Sequence, residues 1–482
     1  PLPDVPPTLI DVALQYNIPI SWNGTNWTRK NQSDLRPLIG VYDDPASQKQ
    51  GELVLALSER NHAGIFVAAG EGRALFIRTF VSAVATQYSP NEVQCVFLDF
   101  GVSGLLRPYE QLPHTIAVTS ANQTEMIARI QNRINDEMAK RARALGGLTF
   151  AAYQASQPNP LSRIIIVIDN MIELREASSL RHLNEVIERV AQNGAPLGIH
   201  LVIMLNRPAE AGSKINQQFG VNIGIGVSTD MVYELINKRN FVIDDAIVGR
   251  GVISGINCEI QLSSIVDGGE LAQMRAIEQM MIDMNKNQDY SIQHQIREIP
   301  DRLPMSLLER KLSSHNPEFL STSFMLNLDT EQPEGISLLQ DGPYFLITGG
   351  AGSGKSTTVL TWCQLMTQKP LGERLRIFVM SNGSTPLFQM QHNPHVVAYE
   401  TQVAKWPELI KKLDHALTAH RQYFQTELDK GNVLDRAQML EKLPAIVLIV
   451  DTDRWGDLEA LDTQTHQDLA RLLQDRRDLG LF

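Results

Sequence analysis

The chain has 482 residues, 43% of them hydrophobic and 20% charged, with a formal net charge of −11. That length allows about two to four domains, and the apolar content excludes a wholly disordered chain. The acidic balance, with no block of Lys or Arg, argues against nucleic acid as a partner, because neutralised phosphates supply most of such affinity.

No apolar run approaches the ~18–20 residues of a membrane helix, and no secretory signal pattern is present. The three cysteines, Cys95, Cys258 and Cys363, are far apart and show no metal-ligand spacing. They read as small core hydrophobes in a reducing compartment. The chain opens on "PLPDVPP" and stops at "DLGLF", and both ends are expected to be cuts within a longer protein.

In chain order, residues 1–36 are rich in Pro and polar residues and read as a connecting arm. A first domain is expected over 37–268. "RPLIGVYDDPASQKQGELVLAL" leads to the apolar run "GIFVAA", a glycine loop and the helical pattern "LFIRTFVSAVATQY". "VQCVFLDFG", a long helix near 123–145, "RIIIVIDN", a helix near 179–193 and "GIHLVIML" follow. "VNIGIGV", "GVISGI" and "CEIQLS" read as further strands at the sheet edge. Short apolar runs alternating with helical patterns predict a parallel sheet covered by helices.

Residues 269–305 are expected to form a polar linker helix and connector, and 306–482 a second domain that repeats the first. "YFLITGGAGSGKSTTVLTWCQLM" mirrors the first strand, loop and helix; "LRIFVM", "LPAIVLIVDTDRW" and "DRRDLGLF" mirror the later runs. The period is roughly 280 residues, so the pattern is two homologous domains and not a solenoid. The second copy breaks off where its next core strand is due.

"GGAGSGKST" fits G-x-x-x-x-G-K-[ST] after an apolar strand and before a helix, the context a phosphate-binding loop requires. Gly349, Gly350, Ala351, Gly352, Ser353, Gly354, Lys355, Ser356 and Thr357 are its candidate nucleotide-binding residues. The glycines let backbone N–H groups curl around phosphates at a helix N-terminus. Lys355 is suited to the β- and γ-phosphates and Ser356 to Mg²⁺. Asp451 closes the strand "IVLIVD" and is the candidate second metal-side residue with Ser356. Thr452 stands where many motor ATPases carry an acid; Asp453, one step on, is the candidate catalytic base.

Aligned on the second loop, the first is altered. Val67 stands opposite Gly349, Gly72 opposite Gly354, Arg73 opposite Lys355 and Ala74 opposite Ser356; Gly70 is retained within the loop. Ala74 has no oxygen for a metal. Asp169 holds the place of Asp451, but Asn170 follows it and cannot act as a base. The first domain is therefore expected not to hydrolyse nucleotide, and residues 67–76 are either a weak nucleotide loop or a structural βα turn. Asn206, at the end of "GIHLVIML", is either a γ-phosphate sensor or a cap.

The phrases "PLIGVYDDPASQKQGELVLAL", "SPNEVQCVFLDFGVSGLLRPYEQLPH", "LGIHLVIMLNRP" and "VGRGVISG" resemble the FtsK/SpoIIIE-type ATPase domains of type VII secretion motors, the EccC/EssC family. The resemblance covers nearly the whole chain. It implies an α/β fold of two tandem RecA-like P-loop NTPase domains, each with a central, mostly parallel sheet flanked by helices. It implies ATP and Mg²⁺ as cofactors, and membrane association through segments outside this chain, on the cytoplasmic side of a bacterial membrane. The implied partners are neighbouring subunits in a hexamer and WXG-type helical-hairpin proteins that dock by a C-terminal signal. The alternatives are a DNA translocase of the same superfamily and a non-catalytic docking module.

Overall fold

The apolar runs and helical patterns assemble into two compact units, Pro1–Ile299 and Pro300–Phe482. The computed structural model describes the chain apart from residues 1, 30–33, 46, 69, 158–160, 239–240, 245, 287–294, 297–320, 328–332, 351, 369–373, 383–384, 434, 436–437, 439, 441, 453–460 and 476–478. Ala351, Asp453 and residues 297–305 of the expected connector lie outside the described residues.

The first unit is built on ten strands: β1 Leu38–Asp44, β2 Lys49–Val54, β3 His62–Val67, β4 Val93–Asp99, β5 Thr115–Thr119, β6 Arg163–Asp169, β7 Ile199–Leu205, β8 Phe219–Ile225, β9 Arg250–Ile253 and β10 Cys258–Leu262. Their order in the sheet is β2-β1-β10-β9-β8-β3-β7-β6-β4-β5. From β8 to β5 every pairing is parallel; from β8 to β2 every pairing is antiparallel. β3, β6 and β7 are buried along their whole length, as strands covered on both faces must be. The helices Glu71–Gln87 and Glu270–Asn285 cover one face. The helices Thr124–Leu145 and Arg181–Asn193 cover the other.

Three expectations need correcting. β8, β9 and β10 are not at the sheet edge; they are interior, and the β1–β2 hairpin forms the edge instead. β1 bonds to β10 from Gly40 to Asp43, and only β2 shows the exposed, half-polar pattern of an edge strand. The expected arm is not merely a connection. Thr8 caps the helix Leu9–Gln15, which buries Leu9, Val12 and Ala13 against Leu38, Val41 and Ala83. The arm also bonds to Ser264, with Leu9 N–H donating to its carbonyl at 2.8 Å and Ser264 N–H donating to Pro7 at 2.9 Å. The expected linker helix, Glu270–Asn285, is part of the first core: Ile277, Met281 and Met284 pack beside Phe76 and Phe80. Arg78 holds it from below, donating to Glu270 at 2.8 Å and to Gln273 at 3.0 Å.

In the second unit, β11 Ser321–Leu326 and β12 Pro333–Ser337 form an antiparallel pair. β13 Leu375–Ser381, β14 Val396–Glu400 and β15 Ala445–Asp451 form a parallel sheet in the order β14-β13-β15. The internal repeat keeps a constant interval: Val93 and Leu375 open matching strands, Arg163 and Ala445 likewise, and Thr124 and Trp406, Arg181 and Thr463 open matching helices, every pair 282 positions apart.

One further expectation fails. "YFLIT", residues 344–348, is not a strand, and Leu346 is 81% exposed. In the first unit the equivalent strand β3 bonds only to β7 and β8. Among the described residues of the second unit only Leu481 and Phe482 stand at the place of β7, bonded to β15, and none at the place of β8, so residues 344–348 pair with no strand.

The packing of the helix Glu270–Asn285 generates a prediction. Ile277→Ala removes a fully buried side chain and should destabilise the first unit by about 2–4 kcal/mol in urea unfolding. Leu271→Ala, at a 76% exposed position on the same helix, should change it by less than about 0.5 kcal/mol. Equal effects would place the helix outside the core.

Candidate functional site

In a parallel α/β sheet, ligands bind at the carboxyl ends of the strands, and both units bring their singled-out residues to that end. In the second unit the loop runs directly into the helix Lys355–Gln368. Gly352 and Gly354 take φ of 75° and 89°, backbone that side chains other than glycine rarely adopt. Thr358 N–H and its hydroxyl both reach the Gly354 carbonyl, at 2.8 and 3.1 Å, and secure the first turn. The Lys355 ammonium is folded onto its own loop, donating to the carbonyl oxygens of Gly349 at 3.0 Å and Gly350 at 2.8 Å.

The Ser356 hydroxyl donates to Asp451 Oδ1 at 3.1 Å, across 95 residues of sequence. Asp451 Oδ2 is buried and has no hydrogen-bond partner among the described residues. A hydroxyl and a carboxylate with one oxygen unspent are hard oxygen donors, the set that Mg²⁺ takes alongside phosphate oxygens and water. The residues present therefore fit a metal-bound nucleotide. Beside Asp451, the Thr452 hydroxyl accepts from Asn382 Nδ2 at 3.0 Å.

The first unit closes the same position with protein. Arg73 lies in the first turn of the helix Glu71–Gln87 and is only 7% exposed. Its Nη1 donates to Asp169 Oδ1 at 2.9 Å; its Nη2 donates to the Val67 carbonyl at 3.2 Å and, at a long 3.5 Å, to Asn206 Oδ1. Glu210 accepts from the Asn206 backbone N–H at 2.7 Å and from its amide at 3.3 Å. Arg73 Nε is buried and has no partner among the described residues. Burial raises the Asp169 carboxyl, and the Arg73 guanidinium offsets part of that rise. With a guanidinium on the carboxylate and Ala74 in place of a hydroxyl, these residues do not fit a magnesium ion. Gly70 opens the helix at φ 142°; Gly72 lies in its first turn, where a Cβ would meet Ile225 at 3.3 Å. Asn170, at φ 64°, spends its amide on the Phe100 carbonyl at 3.1 Å.

Two residues of this site escaped the sequence reading. Asp99 ends β4 directly opposite Asp169 in register, and Ser381 stands opposite Asp451 in the same way. Asp99 Oδ2 accepts from the N–H groups of Leu106 and Arg107, each at 3.1 Å, while its Oδ1 is buried without a partner among the described residues. Burial, first of all, pushes the carboxyl up to about 6, with the charge of Asp169 adding to the rise. The sequence signal was available: "VFLDF" ends an apolar run on an acid just as "IVIDN" does. Gly101 is the other. A Cβ there would lie 2.1 Å from Asp169 Oδ2, so the loop after β4 approaches the carboxylate only as glycine.

Residues 42–151 match the FtsK/SpoIIIE family, and the chain carries a domain of that kind. A type VII secretion system protein EssC of Staphylococcus aureus (strain MRSA252) is 26% identical over 180 residues, covering 37% of this chain and 12% of that protein. An ESX secretion system protein EccC of Thermomonospora curvata is 22% identical over 495 aligned positions, covering 99% of this chain and 36% of that protein. The chain thus spans about a third or less of the relatives it matches. Among solved structures, EssC (ATPases 2 and 3) from Geobacillus thermodenitrificans aligns with a TM-score of 0.76 at 21% identity, over 100% of this chain and 86% of that one. EccC (ATPases 2 and 3) of Thermomonospora curvata, in complex with a signal sequence peptide, aligns with a TM-score of 0.58 at 21% identity over the same shares. The fold is shared with these tandem domains of EssC and EccC. No helix among the described residues is long and apolar enough to cross a membrane.

Two measurements check this geometry. The folded Asp99 titrates above its unfolded value of 3.8, near 6, so the native state holds the extra proton and its stability falls as pH rises through that window. Asp99→Asn should therefore gain urea resistance relative to wild type as pH climbs from about 4 to 6, with a constant difference above about 7. A difference that does not vary with pH contradicts the shift. Gly101→Ala should cost about 1–3 kcal/mol of stability in the same unfolding assay through overpacking against Asp169.

Proposed function

We propose that this chain is the segment of a type VII secretion motor in which the second unit binds ATP–Mg²⁺ and the first is non-hydrolytic and regulatory. The observation that carries the reading is the contrast at the two strand tips. Asp451 meets a serine hydroxyl and keeps one oxygen unspent, beside an exposed lysine ammonium. Asp169 is closed by an arginine.

In the second unit the N-terminus of the helix Lys355–Gln368 and the N–H groups of Gly350, Gly352, Ser353 and Gly354 would hold the phosphates. Lys355, here on the carbonyls of Gly349 and Gly350, would turn to the β- and γ-phosphates. Ser356 and Asp451 would hold the metal, which would supply charge neutralisation for γ-phosphoryl transfer. Asp453 is the proposed base for the attacking water. Catalysis here is positioning and charge neutralisation, with little covalent chemistry for the protein to do.

The likeness to EssC and EccC over the chain supports placing it in a hexameric motor on the cytoplasmic side of a bacterial membrane. The signal peptide bound to the Thermomonospora EccC structure supports cargo that docks by a short C-terminal signal, of the WXG helical-hairpin type.

Titration of the full chain with ATP and Mg²⁺ tests the assignment. Lys355→Ala should weaken binding by roughly 100-fold or more, as loss of a charge-assisted contact to phosphate does. Ser356→Ala should remove the dependence of binding on Mg²⁺. Arg73→Ala should leave turnover little changed. Nucleotide bound at Arg73, with Lys355→Ala without effect, would overturn the reading.

A further inference from the structure

Every group the Arg73 fork touches lies at the carboxyl end of a neighbouring strand. Val67 ends β3, Asp169 ends β6, and Asn206 follows the last residue of β7. These three strands are adjacent in the sheet, in the order β3-β7-β6. One guanidinium therefore ties three strand tips and the helix Glu71–Gln87 to one another. The side chain is buried, and so is its carboxylate, 1% exposed. Among the described residues of the second unit no cation joins the tips: Lys355 bonds to its own loop, Ser356 reaches Asp451, and the ends of β13 and β15 meet through the neutral Asn382–Thr452 bond.

A nucleotide with its metal, bound at this place in a P-loop fold, links the same parts: the loop after the first strand, the acidic strand tip and the polar residue of the strand between them. We propose that Arg73 is a built-in occupant of the first loop, a guanidinium that makes these links permanently and holds the first unit closed whether or not nucleotide is present. The inference rests on the reading of the first unit as non-hydrolytic and adds its physical consequence. A planar fork with several donors suits three acceptors on different elements; a lysine ammonium on a flexible stem does not hold them in one geometry. The neighbouring chemistry agrees. Asp99 and Asp169 sit side by side in register, so two acidic groups converge on the tips, and a fixed cation is what makes that placement tolerable. In the second unit the corresponding pair is Ser381 and Asp451, one acid instead of two, and the demand for a resident cation falls away. The first unit is then a fixed body in a motor whose other unit responds to ligand.

Hydrogen exchange of the full chain, with and without ATP–Mg²⁺, tests this. In the wild-type protein, amides at 67–76, 165–170 and 203–207 should exchange at the same rate under both conditions. Arg73→Lys keeps the charge but loses the fork, and should speed exchange at those segments by on the order of tenfold, while the β1–β2 hairpin stays unchanged. Should Arg73→Lys loosen the whole unit, Asn206→Asp at the same exposed position keeps an acceptor for Arg73 while losing the amide's bond to Glu210 and should leave exchange at 203–207 slow, whereas Asn206→Ala loses both and should speed it there alone. The proposal is overturned if ATP–Mg²⁺ slows exchange at 67–76 in the wild type, or if neither Arg73→Lys nor Asn206→Ala changes the strand tips. Protection of 349–357 by ATP–Mg²⁺ is read in the same experiment, so failure of the second site to bind is distinguished from failure of the brace.

Discussion

A carboxylate that closes a buried parallel strand cannot be left to itself. Water cannot reach it freely, and an ionised carboxylate without partners is costly in that setting. Asp169 closes a strand buried along its whole length; Asp451, 282 residues on, closes one whose last residues are half-buried or exposed, with its Oδ2 shut away from solvent. The first is answered by Arg73 at 2.9 Å. The second is answered by the Ser356 hydroxyl, with its other oxygen unspent. How each half meets this requirement decides whether the carboxylate is closed by a guanidinium or keeps an unspent oxygen, the difference on which the proposed nucleotide site rests.

The same requirement links substitutions that look independent in sequence. Arg in place of Lys brings a fork long enough to cross to the carboxylate. Ala in place of Ser removes the hydroxyl that Asp451 has in the later copy. A second acid at the end of the adjacent strand, Asp99 where the later copy has Ser381, adds negative charge that the arginine must balance. Gly101 completes the set by letting the following loop pass beside Asp169 without a side chain between them. The first site is a rebuilt one, and each replaced residue is compensated by another within it.

The sheet imposes a second constraint, on which strands exist at all. β3 is held from both sides by β7 and β8, and all six of its residues are buried. The equivalent residues 344–348 are as apolar, yet are not a strand, and Leu346 and Tyr344 face outward. Strand character in a parallel sheet belongs to the neighbours as much as to the residues themselves. The helix Glu270–Asn285 teaches the converse. Its many polar residues suggested a spacer, but three residues at near-helical spacing, Ile277, Met281 and Met284, are enough to seat it in the core.

The residues by themselves determined the duplication, the alternation of strand and helix, the phosphate-loop pattern at 349–357 and the acid at Asp451. These are local facts: apolar period, glycine spacing, and an acid at the end of an apolar run survive in any reading of the string. Tertiary structure decided the rest, because it depends on which strand tips become neighbours. Only the sheet order puts Val67, Asp169 and Asn206 within reach of one side chain, sets Asp99 beside Asp169, and turns Arg73 from a poor lysine into an ion pair buried at three converging ends. A linear reading sees that a residue was lost from the first loop. What was gained in its place is a contact across 96 positions, and a contact of that length is fixed by packing and not by spacing.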